Sequence, residues 1–156
     1  MPADEMTMLR GWLRHLRGSV NLKLEGLDDD QIRWKPAETT NSLGAIAMHL
    51  GYVERLLLRA TFAGEEMDTA WTDNRYARTF MVPEGWSAAD VIAFYQAETA
   101  AADAVLDRAT SLDEPSAAAD RPTTLRWVVT HLVEATARRL GYMHLTRELI
   151  DGASGP

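Results

Sequence analysis

The apolar residues of this chain recur at alternating spacings of three and four in four separate segments. That period places them on one face of an α-helix, so the pattern predicts four amphipathic helices. No segment alternates apolar and polar residues as a half-buried β-strand does. The predicted helices cover about residues 4–25, 42–63, 87–109 and 123–151.

Polar connections that contain helix-capping residues separate these segments. Ser87 and Asp90 resemble a capping box before the third helix, and Gly64 is placed to cap the end of the second. The connection over residues 65–86 is long and rich in aromatic residues, which indicates that it folds back onto the helices. We therefore predict an all-α protein, an antiparallel four-helix bundle with a long connection between helices two and three, as one domain over residues 1–156.

The composition excludes several kinds of site and partner. The 156 residues include no cysteine, which excludes disulfides and thiolate ligands. A net charge of −7 opposes nucleic-acid phosphates and anionic lipid, so we expect no nucleic-acid partner and no membrane partner. The first residues lack the pattern of a signal peptide, and no apolar run approaches the roughly 20 residues that span a bilayer. We expect a cytoplasmic protein.

Arg139 interrupts the otherwise mostly apolar stripe of the fourth helix. A guanidinium in that position needs a charged partner or a water-filled cavity. Glu98 lies on the equivalent stripe of the third helix and could be that partner. One interpretation is an interior ion pair between Arg139 and Glu98. The other is a pocket in which Arg139 binds the carboxylate or phosphate of a small ligand, and the two can coexist. The stripe consists of Leu125, Val128, Leu132, Ala135, Arg139, Tyr142, Thr146 and Leu149.

His49 borders the apolar stripe of the second helix. A neutral imidazole in a core needs only one or two hydrogen-bond partners, so a structural role is the plain interpretation. His131 and Glu134 are three residues apart on the fourth helix, and with His49 they would supply three metal ligands. Against that site, His131 and Glu134 lie beside the stripe rather than on it.

Two stretches resemble a known family, namely SLGAIAMHLGYVER at residues 42–55 and RWVVTHLVEATARRLGY at residues 126–142. They resemble the DinB-like superfamily of four-helix-bundle proteins, in the branch of mycothiol-dependent maleylpyruvate isomerase. The resemblance covers nearly the whole chain. It implies the four-helix fold, and it also implies a homodimer, because members of the family are frequently homodimers.

The resemblance also implies a metal site that has been dismantled. Members of the family commonly bind zinc or nickel through a histidine on helix two and two ligands four residues apart on helix four. By resemblance, those positions fall at His49, Ala135 and Arg139. A methyl group and a protonated guanidinium have no lone pair for a metal, so two of the three ligands are lost. The permanent charge of Arg139 would instead favour anions.

The first functional hypothesis is a metal-free descendant that needs no cofactor and binds an organic anion or a polar aromatic compound between its helices. Isomerase, lyase or cyclase activity on that compound would be compatible with this hypothesis. The pocket would be lined by Arg139, Trp34, Trp71 and Ala135. The expected roles are a proton carrier for His49, an anion anchor for Arg139, its partner or a general base for Glu98, and a hydrogen-bond donor for Tyr142.

Two alternatives stay open. A metal-dependent thiol transferase of the mycothiol type, or a hydrolase, would hold zinc or nickel through His49, His131 and Glu134. A non-enzymatic, dimeric binding module would use the aromatic connection at residues 65–86 to cover a partner instead of a pocket.

Overall fold

The four amphipathic segments fold as four long helices, which confirms the predicted all-α bundle. The computed structural model describes residues 4–67, 76–120 and 122–155. The third long helix ends at Leu106 rather than near residue 109. The helices are α1 (Glu5–Leu24), α2 (Leu43–Glu54, continued as a π-helix over Arg55–Phe62), α3 (Tyr76–Thr79), α4 (Ala88–Leu106) and α5 (Leu125–Asp151).

The long helices begin at capping residues that the sequence supplies. Ser87 and Asp90 each accept a hydrogen bond from the other's backbone N–H, so the predicted capping box is confirmed. The Ser42 hydroxyl accepts from the N–H of Ala45, 3.1 Å away, at the start of α2. These bonds satisfy N–H groups that have no partner within the first turn of a helix. Gly64, with φ +71°, follows the π-helix as expected of a C-terminal cap.

Contacts along α1 and α5 show that these two helices run in the same direction. Glu5 at the start of α1 forms an ion pair with Arg126 at the start of α5. Near their other ends, Arg147 Nη1 donates to the Lys23 carbonyl oxygen at 3.0 Å. α1 and α5 are therefore a parallel pair.

α2 and α4 form a second parallel pair. A Cβ on Gly51 would lie 2.7 Å from the Phe94 ring, and the next turn of α2 pairs with the next turn of α4 through Arg55 and Glu98. Since Arg10 pairs with Asp107, the start of α1 meets the end of α4. The predicted antiparallel arrangement thus holds between the two pairs but not within them, and the long connection lets α4 return in the direction of α2.

Close packing at the start of α2 positions the connection that precedes α4. A Cβ on Gly44 would lie 2.8 Å from the Ile32 carbonyl oxygen and 2.8 Å from the Val82 side chain, so only glycine fits without displacing them. The connection carries α3, a one-turn helix that the periodicity does not predict. Further contacts of α3 and Phe80 with α2 are made at His49. No helix of the described residues is long and apolar enough to cross a membrane.

Candidate functional site

His49 lies buried beneath the side chains of α3 and the residue after it. Only 6% of the surface of this residue is exposed to solvent. The imidazole stacks on the Phe80 ring, with 3.9 Å between centroids and 13° between planes. The Tyr76 ring meets it edge-on at 5.1 Å, and Nδ1 lies 2.8 Å from Thr79 Oγ1. Every contact here supports the structural interpretation of His49.

The hydrogen bonds of Thr79 assign the imidazole tautomer. The Thr79 hydroxyl donates its single proton to the Tyr76 carbonyl oxygen, 2.6 Å away. It must therefore accept from His49, which places the imidazole proton on Nδ1 and leaves the lone pair on Nε2.

The surroundings also keep this imidazole uncharged. Burial, and to a smaller extent the nearby positive charges of Arg139 and Arg138, lower the pKa of His49 from its ordinary 6.5 to about 4. At neutral pH, His49 is a neutral hydrogen-bonding side chain. A proton placed on it would be both poorly solvated and repelled by the two guanidinium groups.

Arg139 borders a surface depression of about 400 Å³ on the other side of the aromatic side chains. Its Nη2 donates to the Tyr76 hydroxyl at 2.7 Å, and its guanidinium carbon lies 5.0 Å from the centroid of the Phe80 ring. The depression is lined by Asn41, Tyr76, Ala77, Phe80 and Arg139. Tyr76 and Phe80 contact His49 and also line the depression, so the two rings separate His49 from it. Among the described residues, this lining contains a cation, an amide, a phenol and no carboxylate, which suits an anionic ligand.

The predicted interior ion pair between Arg139 and Glu98 is wrong. Glu98 accepts hydrogen bonds from Arg55 Nε at 3.0 Å and Arg59 Nη1 at 3.4 Å, both from the π-helix. Two nearer arginines therefore satisfy this carboxylate. Tyr142 does not line the depression either, and its buried hydroxyl has no hydrogen-bond partner among the described residues.

Of the residues predicted to line a pocket, Arg139 borders the depression, and its role in ligand binding stays a prediction. Ala135 is buried, and Trp34 is 41% exposed in the connection after α1; neither lines the depression. Trp71 lies outside the described residues. The wall is built instead by Tyr76 and Phe80, because α3 brings the aromatic connection back onto α2.

The residues present do not fit a divalent metal at the positions that the family resemblance implies. Ala135 offers a methyl group and Arg139 a protonated guanidinium, and neither has a lone pair to donate. The alternative set also stays apart, since His131 stacks on Trp127 and Glu134 pairs with Arg138. Within residues 4–67, 76–120 and 122–155, no three His, Asp or Glu side chains come together as a metal site.

Periodicity missed four residues of this site, namely Asn41, Tyr76, Thr79 and Phe80. They lie in connections or in a one-turn helix, where apolar spacing carries no information. The aromatic content of the segment before α4 was the available signal, and it predicted that the segment folds back. It could not tell which ring would lie on His49.

Comparison with known proteins places the chain in a family. A family model described as mycothiol-S-transferase matches residues 8–152. The chain is also similar to a crystal structure of a conserved protein from Enterococcus faecalis, with a TM-score of 0.72 at 14% identity, covering 97% of this chain and 100% of that one. At that identity the likeness supports the fold alone. No curated protein matches the chain.

Proposed function

We propose that this chain, which belongs to the mycothiol-S-transferase family, a DinB-like family, binds a small organic anion in the depression beside α3. Arg139 would anchor the anion. The observation that carries this proposal is the environment of the Arg139 guanidinium, which lines the depression without a carboxylate partner among the described residues.

Other arginines of the long helices show how unusual that environment is. Seven of them are bound to at least one acidic side chain, so their charges are already balanced, whereas Arg14 is exposed on the surface of α1. The pairs are Arg10 with Asp107, Arg17 with Glu54, Arg55 and Arg59 with Glu98, Arg126 with Asp113, Arg138 with Glu134 and Arg147 with Asp151.

Arg139 keeps the donors that a carboxylate needs. A guanidinium has five N–H groups in a fixed fork, and the bond to the Tyr76 hydroxyl uses one of them. The amide of Asn41 lies in the same lining and can donate to the ligand. A carboxylate bound here would gain charge-assisted hydrogen bonds in a half-buried site without displacing an existing acidic partner.

The geometry supports binding more directly than catalysis. His49 is the expected proton carrier, but Tyr76 and Phe80 lie between it and the depression. Glu98 is held by Arg55 and Arg59, and Tyr142 is not in the lining. Isomerase, lyase or cyclase activity stays a prediction, and it would require the ligand to reach His49 past the Phe80 ring.

The test is a titration of the full chain with succinate and with benzoate, in which binding is monitored by NMR through the backbone amide chemical shifts. Arg139→Ala should weaken binding by roughly ten- to a hundredfold, because a hydrogen bond to a charged group contributes about 1.5–3 kcal/mol. Arg138→Ala is the matched control, since the neighbouring Arg138 is bound to Glu134. Unchanged affinity in Arg139→Ala would show that Arg139 is not the anchor. If neither succinate nor benzoate binds to the wild-type chain, the proposal is contradicted.

A second candidate is mycothiol-type thiol transfer, and the description of the matching family model favours it. It needs a metal site that the described residues do not supply in the expected geometry. Metal content measured by mass spectrometry on untagged protein, before and after incubation with zinc or nickel, separates the two candidates. A full equivalent of metal that is lost in His49→Ala would support thiol transfer.

The remaining expectations concern assembly and location. A homodimer is implied by the family resemblance, and light scattering on purified protein would test it. A dimer whose formation depends on the connection before α4 would support the non-enzymatic binding module. The cytoplasmic location stays a prediction from the sequence.

A further inference from the structure

We infer that the depression selects planar aromatic carboxylates, and that Phe80 is the residue that determines this preference. The inference rests on the proposed function, because it takes Arg139 as the anchor of the carboxylate. It adds the chemical class of the rest of the ligand and a specificity-determining residue.

Phe80 is held in place by three neighbours. The His49 imidazole stacks on its ring at 3.9 Å, and the Tyr76 ring meets it edge-on at 5.2 Å with 67° between planes. The Arg139 guanidinium lies 5.0 Å from the same ring centroid. Stacking, edge-on and cation–π contacts all restrict the orientation of a ring. The wall of the depression is therefore a fixed aromatic surface.

The anchor, Arg139, and the aromatic wall are adjacent. Arg139 lies beside both the Phe80 ring and the Tyr76 hydroxyl, so a carboxylate bound to its fork begins at the edge of the aromatic wall. The group attached to that carboxylate must then extend along the wall or into solvent. A flat ring can lie against Phe80 and Tyr76, whereas a puckered ring of the same size makes fewer contacts with them.

The charge and the size of the depression disfavour other classes of ligand. Among the described residues of the lining, the charged one is Arg139, which would repel a cationic ligand from the ring that it already contacts. A volume of about 400 Å³ is at the small end of the range for ligand sites, so a single ring with a carboxylate fits its size.

The test compares benzoate with cyclohexanecarboxylate, two acids that share a carboxylate and a six-membered ring and differ in planarity. Calorimetric titration of the full wild-type chain should show a benzoate preference of about three- to tenfold, the effect of one favourable aromatic contact. Phe80→Leu should reduce that preference to about twofold or less while both acids still bind. Phe94→Leu is the matched control, because Phe94 packs beside Gly51, outside the depression.

Each outcome decides a different point. Equal wild-type affinities for the two acids would overturn the aromatic preference and leave the anion site intact. A preference that survives in Phe80→Leu would overturn the role of Phe80. Failure of both acids to bind would overturn the proposed function and this inference together. If Phe80→Leu does not fold, as judged by circular dichroism, Phe80→Met replaces it, and the wild-type comparison still tests the preference.

Discussion

Two regions of the bundle surround arginine side chains in opposite ways. Between α1, α2 and α4, Arg17 donates from Nε and Nη2 to Glu54 at 2.8 and 2.7 Å, and from Nη1 to Asp103 at 2.6 Å. Beside α3, Arg139 has an uncharged phenol and a ring face as its described neighbours. The first guanidinium is fully matched by carboxylates, whereas the second retains unused donors.

The difference shows which charged side chains are structural. Where carboxylates surround a buried arginine, its desolvation is offset inside the protein, and a ligand would have to break existing ion pairs. Where they do not, the guanidinium can take a ligand's carboxylate at little cost. Glu98 belongs to the first kind of region, since Arg55 and Arg59 bind it. The interior position of a charged side chain on a helix seam therefore does not by itself indicate a functional role. The partners that bind that side chain distinguish a structural role from a functional one.

The largest effect should come from breaking the matched region. Arg17→Met leaves the Glu54 carboxylate, which is 2% exposed, buried without its guanidinium. We expect the free energy of unfolding to fall by about 3–5 kcal/mol, the usual cost of removing one partner of a buried pair. Urea unfolding monitored by circular dichroism measures it.

A double variant controls for the loss of packing in that experiment. Arg17→Met with Glu54→Leu removes both buried charges and should recover most of the stability lost by Arg17→Met alone. If the single variant loses less than about 1 kcal/mol, the ion pair does not have the structural role that its geometry indicates.

The second largest loss of stability should come from acidification, through the protonation of His49. Its pKa in the folded protein is about 4, below the ordinary 6.5, so the unfolded chain binds the extra proton first as the pH falls. The neutral imidazole is tolerated at pH 7, and stability is lost between about pH 7 and 4, by an amount on the order of 2–3 kcal/mol. His49→Gln should lack the loss of stability that comes from protonation of His49, so its free energy of unfolding should depend less steeply on pH.

The titration of His49 in the folded protein gives a direct measurement of the same effect. Its imidazole resonances should shift with a midpoint near pH 4. A midpoint near its ordinary value, or equal pH slopes for wild type and His49→Gln, would show that the aromatic cover does not exclude water from the ring.

Thr79 should have a smaller effect. Thr79→Val keeps the shape of the side chain but removes the acceptor of the His49 Nδ1 proton, which should cost about 1–2 kcal/mol. Thr79→Ser retains the hydroxyl and serves as the control. Nitrogen chemical shifts of the imidazole test the cause, because the wild type should carry its proton on Nδ1; a proton on Nε2 would contradict the assignment.

The smallest effect on stability should come from Arg139. Arg139→Ala removes a hydrogen bond to a phenol and a contact with one ring, so the free energy of unfolding should fall by less than about 1 kcal/mol. The same urea experiment as for Arg17→Met provides the comparison. A loss as large as that of Arg17→Met would mean that Arg139 holds α3 in place instead of remaining available for a ligand.

The sequence alone determined the features that depend on local physical chemistry. Apolar spacing specified the four long helices, because a period of 3.6 residues is read directly from neighbouring positions. The capping box at Ser87 and Asp90 followed from residues three apart, and both of its hydrogen bonds form. Arg139 was identified as unusual for the same reason, since a charge interrupts an apolar stripe.

Only the tertiary structure decided which side chains meet. Glu98 and Arg139 occupy seams on different helices, and the parallel pairing of α2 with α4 brings Arg55 and Arg59 to Glu98 first. The wall of the depression depends on Tyr76 and Phe80, whose rings contact His49 of α2 and follow no local period. Contacts between distant residues depend on helix direction and close packing, which single-residue patterns do not encode.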